Sequence, residues 1–228
     1  MTATEPTVFV VDDDQGMRDS LHWLITSVDM AVETFASAKE FLEACQPSQP
    51  CCLGRSCCIV ADVRMAGMSG LDLQEELTRR GIEIPVIVIT GYGDVPMAVR
   101  AMKAGAFDFI QKPFNDQALL EIVQKAVKQS AETDRNRFER DEILKMLDLL
   151  TTRERQVLDG IIGDLANKAI AHRLGLSEKT IEFHRAKVME KMKAQSLVDL
   201  VRKVMPVSGS LADPVPPSAN SSFHSGKP

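Results

Sequence analysis

Four short apolar runs in this chain each end in residues that could take part in phosphoryl chemistry. Val8-Phe9-Val10-Val11 runs into Asp12 and Asp13, and Cys58-Ile59-Val60-Ala61 runs into Asp62. Val86-Ile87-Val88-Ile89 ends at Thr90, and Phe109-Ile110-Gln111 ends at Lys112. Three carboxylates, a hydroxyl and an ammonium gathered in one place would form a divalent-cation site beside a site for a phosphate-sized anion. Mg²⁺ takes a few carboxylates together with water and phosphate oxygens. One carboxylate could then act as a nucleophile toward a phosphoryl group, in a transfer that depends on positioning and charge stabilisation. Thr90 could donate to a phosphoryl oxygen, and Lys112 could supply a point charge. Taken singly, the acids at 12–14 could merely cap a helix and Lys112 could be an ordinary surface lysine. Four matched run ends favour the shared site.

The elements between the runs say how that site would be assembled. Short β-branched runs separated by helix-length amphipathic stretches read as buried parallel strands in βα repeats. In such sheets, whatever lies beyond the carboxyl ends of the strands meets in one crevice at the topological switch point. The first half of the chain is therefore expected to be α/β, a doubly wound parallel sheet.

Charge divides the chain. The 228 residues carry a net charge of −5 and are 44% hydrophobic, enough for ordinary cores. Residues 1–120 hold 17 acidic against 9 basic side chains, whereas residues 151–205 hold 7 against 11. An acidic half joined to a basic half suggests an acceptor of metal and phosphate tethered to an anion binder. No run approaches 18 consecutive apolar residues, so no membrane-spanning helix is expected, and residues 1–6 do not resemble a signal peptide.

Cys45, Cys51, Cys52, Cys57 and Cys58 fall within fourteen residues. Their spacing contains no CxxC pair, no histidine lies nearby, and the count is odd. Cys57 and Cys58 enter an apolar run, where free cysteine behaves as a small apolar residue. The expectation is structural cysteine without disulfides, as a reducing cytoplasm would favour. Gln46-Pro47-Ser48-Gln49-Pro50 reads as a loop.

No glycine or proline occurs in residues 114–159. Leu119, Ile122, Val123, Ala126 and Val127 form one apolar helical stripe, followed by a charged stretch with Arg135/Glu139 and Asp141/Lys145 at i, i+4 spacing. The reading is a helix running on as a linker, continuous or broken once; a disordered charged linker with helical ends is the alternative. Thr151-Thr152-Arg153-Glu154 is a capping box opening a helix whose Val157, Leu158, Ile161 and Ile162 face inward. Gly163 stops that helix. Asn167 would cap a short helix through Leu174, with Ile170, Ala171 and Leu174 as its core side. Gly175-Leu176-Ser177 is a tight turn into a helix from Glu178 to about Met192, its core side Ile181, Val188 and Met192. Ser196 would start a last helix with Leu197, Leu200, Val201 and Val204 on one stripe. Two helices joined by a Gly-containing turn in a basic region describe a helix-turn-helix. The outer face of its second helix carries Lys179, Glu182, Phe183, Ala186, Lys187 and Glu190. That mixture suits nucleic acid, although a merely solvated face is the bland alternative. Residues 206–228, rich in proline and serine, read as a disordered tail.

These residues carry a resemblance to a known family. Residues 8–125 resemble a response-regulator receiver domain, which implies the flavodoxin-like form of the doubly wound sheet. Thr90-Gly91-Tyr92-Gly93-Asp94-Val95-Pro96-Met97-Ala98-Val99, Ala104-Gly105-Ala106, Phe109 and Lys112-Pro113-Phe114 resemble its FixJ-type branch. The resemblance implies that Asp62 accepts phosphate from a cognate sensor histidine kinase. It also implies that Asp13 and Asp62 ligate Mg²⁺ with the backbone carbonyl of Arg64, Asp12 helping through water. Thr90 and Phe109 would be the switch pair, and Lys112-Pro113 a cis peptide. One departure is Ala66, at a position where the family usually has proline. Leu150 to Leu158, Asn167-Lys168 and Thr180-Ile181-Glu182-Phe183-His184-Arg185 resemble the LuxR-type DNA-binding domain. That likeness implies that Glu182, Phe183, Arg185 and Ala186 approach base edges. Lys168, Lys179, Thr180, His184 and Lys187 would contact phosphates, which position without specifying.

The resulting expectation is a receiver at 1–125, a helical linker at 126–144, an all-α helix-turn-helix domain at 145–205 and a tail at 206–228. It describes a cytoplasmic transcriptional regulator, not an enzyme beyond slow loss of its own phosphate. Phosphorylation would promote a homodimer through the fourth and fifth helices. Double-stranded operator DNA and RNA polymerase are its expected partners, and activation is the sign that the resemblance implies. Three other readings compete. A phosphatase with the same aspartate chemistry needs an acid–base residue two past its nucleophile, where Arg64 stands. A quorum sensor needs an apolar ligand pocket. A module acting only through protein contacts would bind no operator.

Overall fold

The alternation of the apolar runs is resolved by a parallel sheet whose two faces are both covered. The computed structural model describes residues 5–45, 56–91 and 95–208, which divide into two compact units between Asn136 and Arg137. The first unit is built in the order β1 (Thr7–Val11), α1 (Gln15–Thr26), β2 (Ala31–Phe35), α2 (Ala38–Ala44), β3 (Cys57–Asp62), α3 (Gly70–Arg79), β4 (Val86–Thr90), α4 (Val95–Lys103), β5 (Asp108–Gln111) and the start of α5 (Asp116–Asp148). All neighbouring strands are parallel, in the order β2-β1-β3-β4-β5. This is the flavodoxin-like order, with its switch point between β1 and β3.

Strand side chains alternate between faces, and each face closes its own core. On one side Phe9, Ile59 and Val88 pack with Phe41 of α2 and Leu73 and Leu77 of α3. Phe41 stands 5.4 Å from the Phe9 ring and 5.3 Å from that of Phe35. On the other side Val8, Val10, Val60, Ile87 and Ile89 pack with Leu21 and Ile25 of α1 and Leu119, Val123 and Ala126 of α5. β1, β3 and β4, buried on both faces, read as nearly continuous apolar runs with polar residues at their ends, whereas β2 exposes Glu33 and Thr34.

α5 is one helix of 33 residues, running through the stretch read as a linker. The absence of glycine and proline lets helix propagate through the charged stretch, since each added residue gains a backbone hydrogen bond. Lys145 pairs with Glu142 at 2.9 Å, and the charge of Asp141 acts on it as well. The end of α5 places Leu147 in the core of the second unit.

That unit continues with α6 (Thr152–Ile162), α7 (Asn167–Leu174), α8 (Glu178–Lys191) and α9 (Leu197–Ser208). Thr151 and Glu154 close the anticipated capping box. Three expectations are corrected. Ala166, not Asn167, holds the extended cap conformation of α7, so Asn167 is its first helical residue. Leu197 is exposed, because the buried stripe of α9 is Leu200, Val204 and Val207. The supposed tail therefore starts too early: burial of Val207 carries the helix past Pro206 to Ser208. The rest of that segment, like Cys51, Cys52 and residues 46–50 and 92–94, lies outside the described residues.

The cysteine expectation is also corrected. Cys45 and Cys57 are each disulfide-bonded; Cys45 follows the last residue of α2 and Cys57 opens β3. Cys58 is a free thiol, and burial pushes it up to about 12.

Candidate functional site

Three strand ends converge on one ammonium. Asp12 follows β1, Asp62 is the last residue of β3, and Lys112 follows β5. Lys112 Nζ donates to Asp12 Oδ2 at 3.1 Å and to Asp62 Oδ1 at 2.8 Å. The Lys112 backbone N–H donates to the carbonyl of Thr90 at 2.7 Å, which ties β5 to the end of β4. Thr90 itself is fully buried, and Phe109 packs at the edge of the first core. The peptide bond between Lys112 and Pro113 is cis, as expected.

The neighbouring acids have separate partners. Only Asp14 caps α1, accepting from the N–H groups of Gly16 and Met17, so helix capping does not account for Asp12 or Asp13. Asp12 Oδ1 accepts from the Asp14 N–H at 2.8 Å. Asp62 Oδ2 accepts from the Arg64 N–H at 2.6 Å. Asp13 Oδ2 accepts from the Ala66 N–H at 3.1 Å, a bond that proline at this position could not donate. The departure at Ala66 thus adds a tether to Asp13.

Burial raises the Asp12 carboxyl, against the lowering effects of the Asp14 N–H and the Lys112 ammonium. Burial alone would lower Lys112, but the hydrogen bonds to Asp62 and Asp12 outweigh it and leave the ammonium raised. The lysine therefore stays charged at neutral pH between two carboxylates.

As a metal centre the crevice is sparse. Among the described residues no three carboxylate, imidazole or thiolate groups converge as ligands. Mg²⁺ does not require them, because it is commonly held by one or two carboxylates with water and phosphate oxygens. The chemistry of Asp12, Asp13, Asp62 and the backbone of Arg64 fits that demand.

Two residues escaped the sequence reading. Arg18 is nearly buried on α1; its Nη1 donates to the Asp12 carbonyl at 2.6 Å, and its Nη2 bonds Gln15 Oε1. Its position in one stripe with Leu21 and Ile25 was the available signal. Gly70 opens α3 so close to β3 that an added Cβ would lie 2.4 Å from the Asp62 carbonyl oxygen. No spacing rule marks that approach.

The second candidate surface lies on α8. Gly175 ends α7 in the left-handed conformation (φ 67°), and the Ser177 side chain caps α8 by accepting from the Thr180 N–H. Ile181, Val188 and Met192 are buried as anticipated. Lys179, Glu182, Phe183 and Ala186 are exposed, while Thr180, His184, Arg185 and Lys187 are half-buried. Lys168 is exposed on α7. Lys187 pairs with Glu190 at 2.7 Å, so part of its charge is already answered. Beneath this surface, Glu154 joins Lys191 at 2.6 Å, and Lys191 also donates to the Leu149 carbonyl.

Comparison with known proteins follows this division. Residues 8–124 match the response regulator receiver domain, and residues 148–204 match the luxR family of bacterial regulatory proteins. The chain is 48% identical to the transcriptional regulatory protein FixJ of Azorhizobium caulinodans, over 92% of this chain and 97% of that protein. It is 46% identical to nodulation protein W of Bradyrhizobium diazoefficiens, over 88% of this chain and 86% of that protein. Among solved structures, response regulator StyR matches with a TM-score of 0.78 at 45% identity, covering 89% of this chain and all of that one. Full-length FixJ from B. japonicum matches with a TM-score of 0.52 at 40% identity, over 90% and 98%.

Proposed function

Because the chain belongs to the two-component response regulators that join a receiver to a LuxR-family DNA-binding domain, we propose that phosphorylation of Asp62 drives its dimerisation on operator DNA. The chain is a transcription regulator rather than an enzyme of metabolism, and no helix among the described residues is long and apolar enough to cross a membrane. A cytoplasmic location suits this reading, because DNA and a kinase would both be within reach there.

One observation carries the reading: the Lys112 ammonium bridges Asp62 and Asp12 across three strand ends. Asp62 holds its nucleophilic oxygen beside a cation that can follow the charge. In the proposed step an Asp62 carboxylate oxygen bonds to phosphorus as the bond from phosphorus to the kinase histidine nitrogen breaks, and that nitrogen keeps the electron pair. Mg²⁺, held by Asp13, Asp62 and the Arg64 carbonyl with Asp12 acting through water, would offset phosphoryl charge when bound. Lys112 exchanges its bond to Asp62 for one to a phosphoryl oxygen, and the Thr90 hydroxyl turns toward another. Thr90 and Phe109 then shift together as the switch.

Dimerisation through α4 and the adjoining part of α5 is supported by Val95, Val99 and Met102, which stand exposed on α4. A two-fold dimer would present two copies of α8 to two half-sites. RNA polymerase is the further partner if the output is activation.

The test is direct. Incubation with acetyl phosphate and Mg²⁺ should add one phosphoryl mass to the full chain and none to Asp62→Asn. Undiminished phosphate in that variant would refute the assignment.

A further inference from the structure

α8 carries an apolar feature that its own core does not use. Phe183 is 60% exposed, and Ala186, at i+3 on the same face, is exposed as well. The inward side of the helix is supplied by Ile181, Val188 and Met192. Around Phe183 the open face is charged, with Lys179 and Glu182 exposed. The ring meets His184 edge-on, with centroids 5.7 Å apart at 68°. An aromatic ring left in water forgoes its burial free energy, so this exposure contributes nothing to the unit alone. It suits a partner that is polar overall but offers an apolar group at one point.

We propose that Phe183, with Ala186 beside it, determines specificity by packing on the C5-methyl group of a thymine in the major groove. The proposal rests on the DNA-binding reading above. Thymine is the one base that displays a methyl group there, and apolar side chains such as Phe and Ala are its natural contacts. The adjacent Glu182 repels phosphates but can accept from a cytosine amino group. Neighbouring residues would thus read two different base features, one by shape and one by hydrogen bonding. Lys179 would hold the backbone without reading sequence. Edge contact with His184 restricts the Phe183 ring, so less freedom is lost when it meets the methyl group.

The test uses the full chain with acetyl phosphate and Mg²⁺, and an operator selected from a random DNA pool. Each thymine is replaced in turn by deoxyuridine, which deletes the methyl group and leaves base pairing intact. One position per half-site should weaken binding roughly fourfold, the factor that one buried methylene-sized group carries. Changing both half-sites should give about fifteenfold. Phe183→Ala should bind the thymine and deoxyuridine operators alike with its melting temperature unchanged, and Phe183→Leu should recover part of the difference. No response at any thymine, or the same response in Phe183→Ala, would overturn the assignment while leaving DNA binding intact. Loss of self-association in Phe183→Ala with the methyl effect preserved would place the ring at a protein contact and also overturn it. Failure to enrich any DNA sequence would overturn the DNA-binding reading and this proposal together.

Discussion

The strand-end crevice and the outer face of α8 both present charged side chains, but in opposite states. In the crevice Lys112 is shared between Asp12 and Asp62, and Arg18 holds the Asp12 carbonyl. On α8 Lys179 and Glu182 lie open, and Lys187 has only an exposed partner in Glu190. Burial explains the contrast. A charge taken from water must be compensated inside the protein, whereas an exposed charge is hydrated and screened until a polyanion arrives. The crevice is thus wired before its ligand comes. The outer face of α8 is not.

The contrast breaks most readily at Gly70. Gly70→Ala would push a Cβ against the Asp62 carbonyl oxygen, 2.4 Å away, where backbone must move. The expected cost is about 2–4 kcal/mol by urea denaturation, with phosphoryl uptake falling alongside. Unchanged stability would mean that the crevice is soft.

Lys112→Ala sharpens the comparison by leaving two buried carboxylates without their cation. Stability at pH 7 should fall by about 1–3 kcal/mol, and Mg²⁺ should stabilise the variant more than the parent. Phosphate uptake should persist but no longer favour dimers. The Asp12 carboxyl is already raised by burial, and removing the ammonium raises it further. A raised acid favours the fold below its unfolded value and loses that contribution as pH rises through the folded one. The gap from the parent should therefore narrow on acidification. A gap independent of pH and Mg²⁺ would remove the electrostatic explanation.

Glu154 moves the other way. Its bond to Lys191 holds the carboxyl at about 2, against an ordinary 4.5. A lowered acid stabilises above its unfolded value and loses that contribution as pH falls toward the folded one. Glu154→Gln should be less stable than the parent at pH 7, and the two should converge between pH 4.5 and 2. Circular dichroism melts across that range would show it; a constant difference would assign the effect to packing.

On α8 the expected effects leave stability alone. Glu182→Ala should relax preference at one base pair per half-site by about 1–3 kcal/mol. Lys179→Ala should lower the salt slope of binding by about one unit per subunit. Lys187→Ala should lower it less, because Glu190 already answers part of its charge. Equal effects of the two lysines on a salt titration would remove the role assigned to that ion pair.

How much of this was legible follows from geometry. Asp12, Asp62, Thr90 and Lys112 could be found because a parallel sheet gathers the carboxyl ends of its strands. The inward and outward faces of α8 followed from helical period, which placed Ile181 and Val188 inside and Phe183 outside. Arg18 was hidden because a buried arginine breaks the apolar rule for its stripe. Gly70 was hidden because its close approach is to backbone brought near only by the fold. Val207 was missed because Pro206 signals a break that burial overrode. The bonded state of Cys45 and Cys57 was missed because spacing alone gave the opposite answer.

The central claim is that the crevice governs the reading face. Fluorescence anisotropy of the full chain on its selected operator tests it, with and without acetyl phosphate and Mg²⁺, in the parent and in Asp62→Asn. The account predicts that phosphorylation tightens binding about tenfold in the parent, an ordinary size for coupling between sites, and leaves Asp62→Asn unchanged. Equal operator affinity before and after phosphate is verified on Asp62 would contradict it.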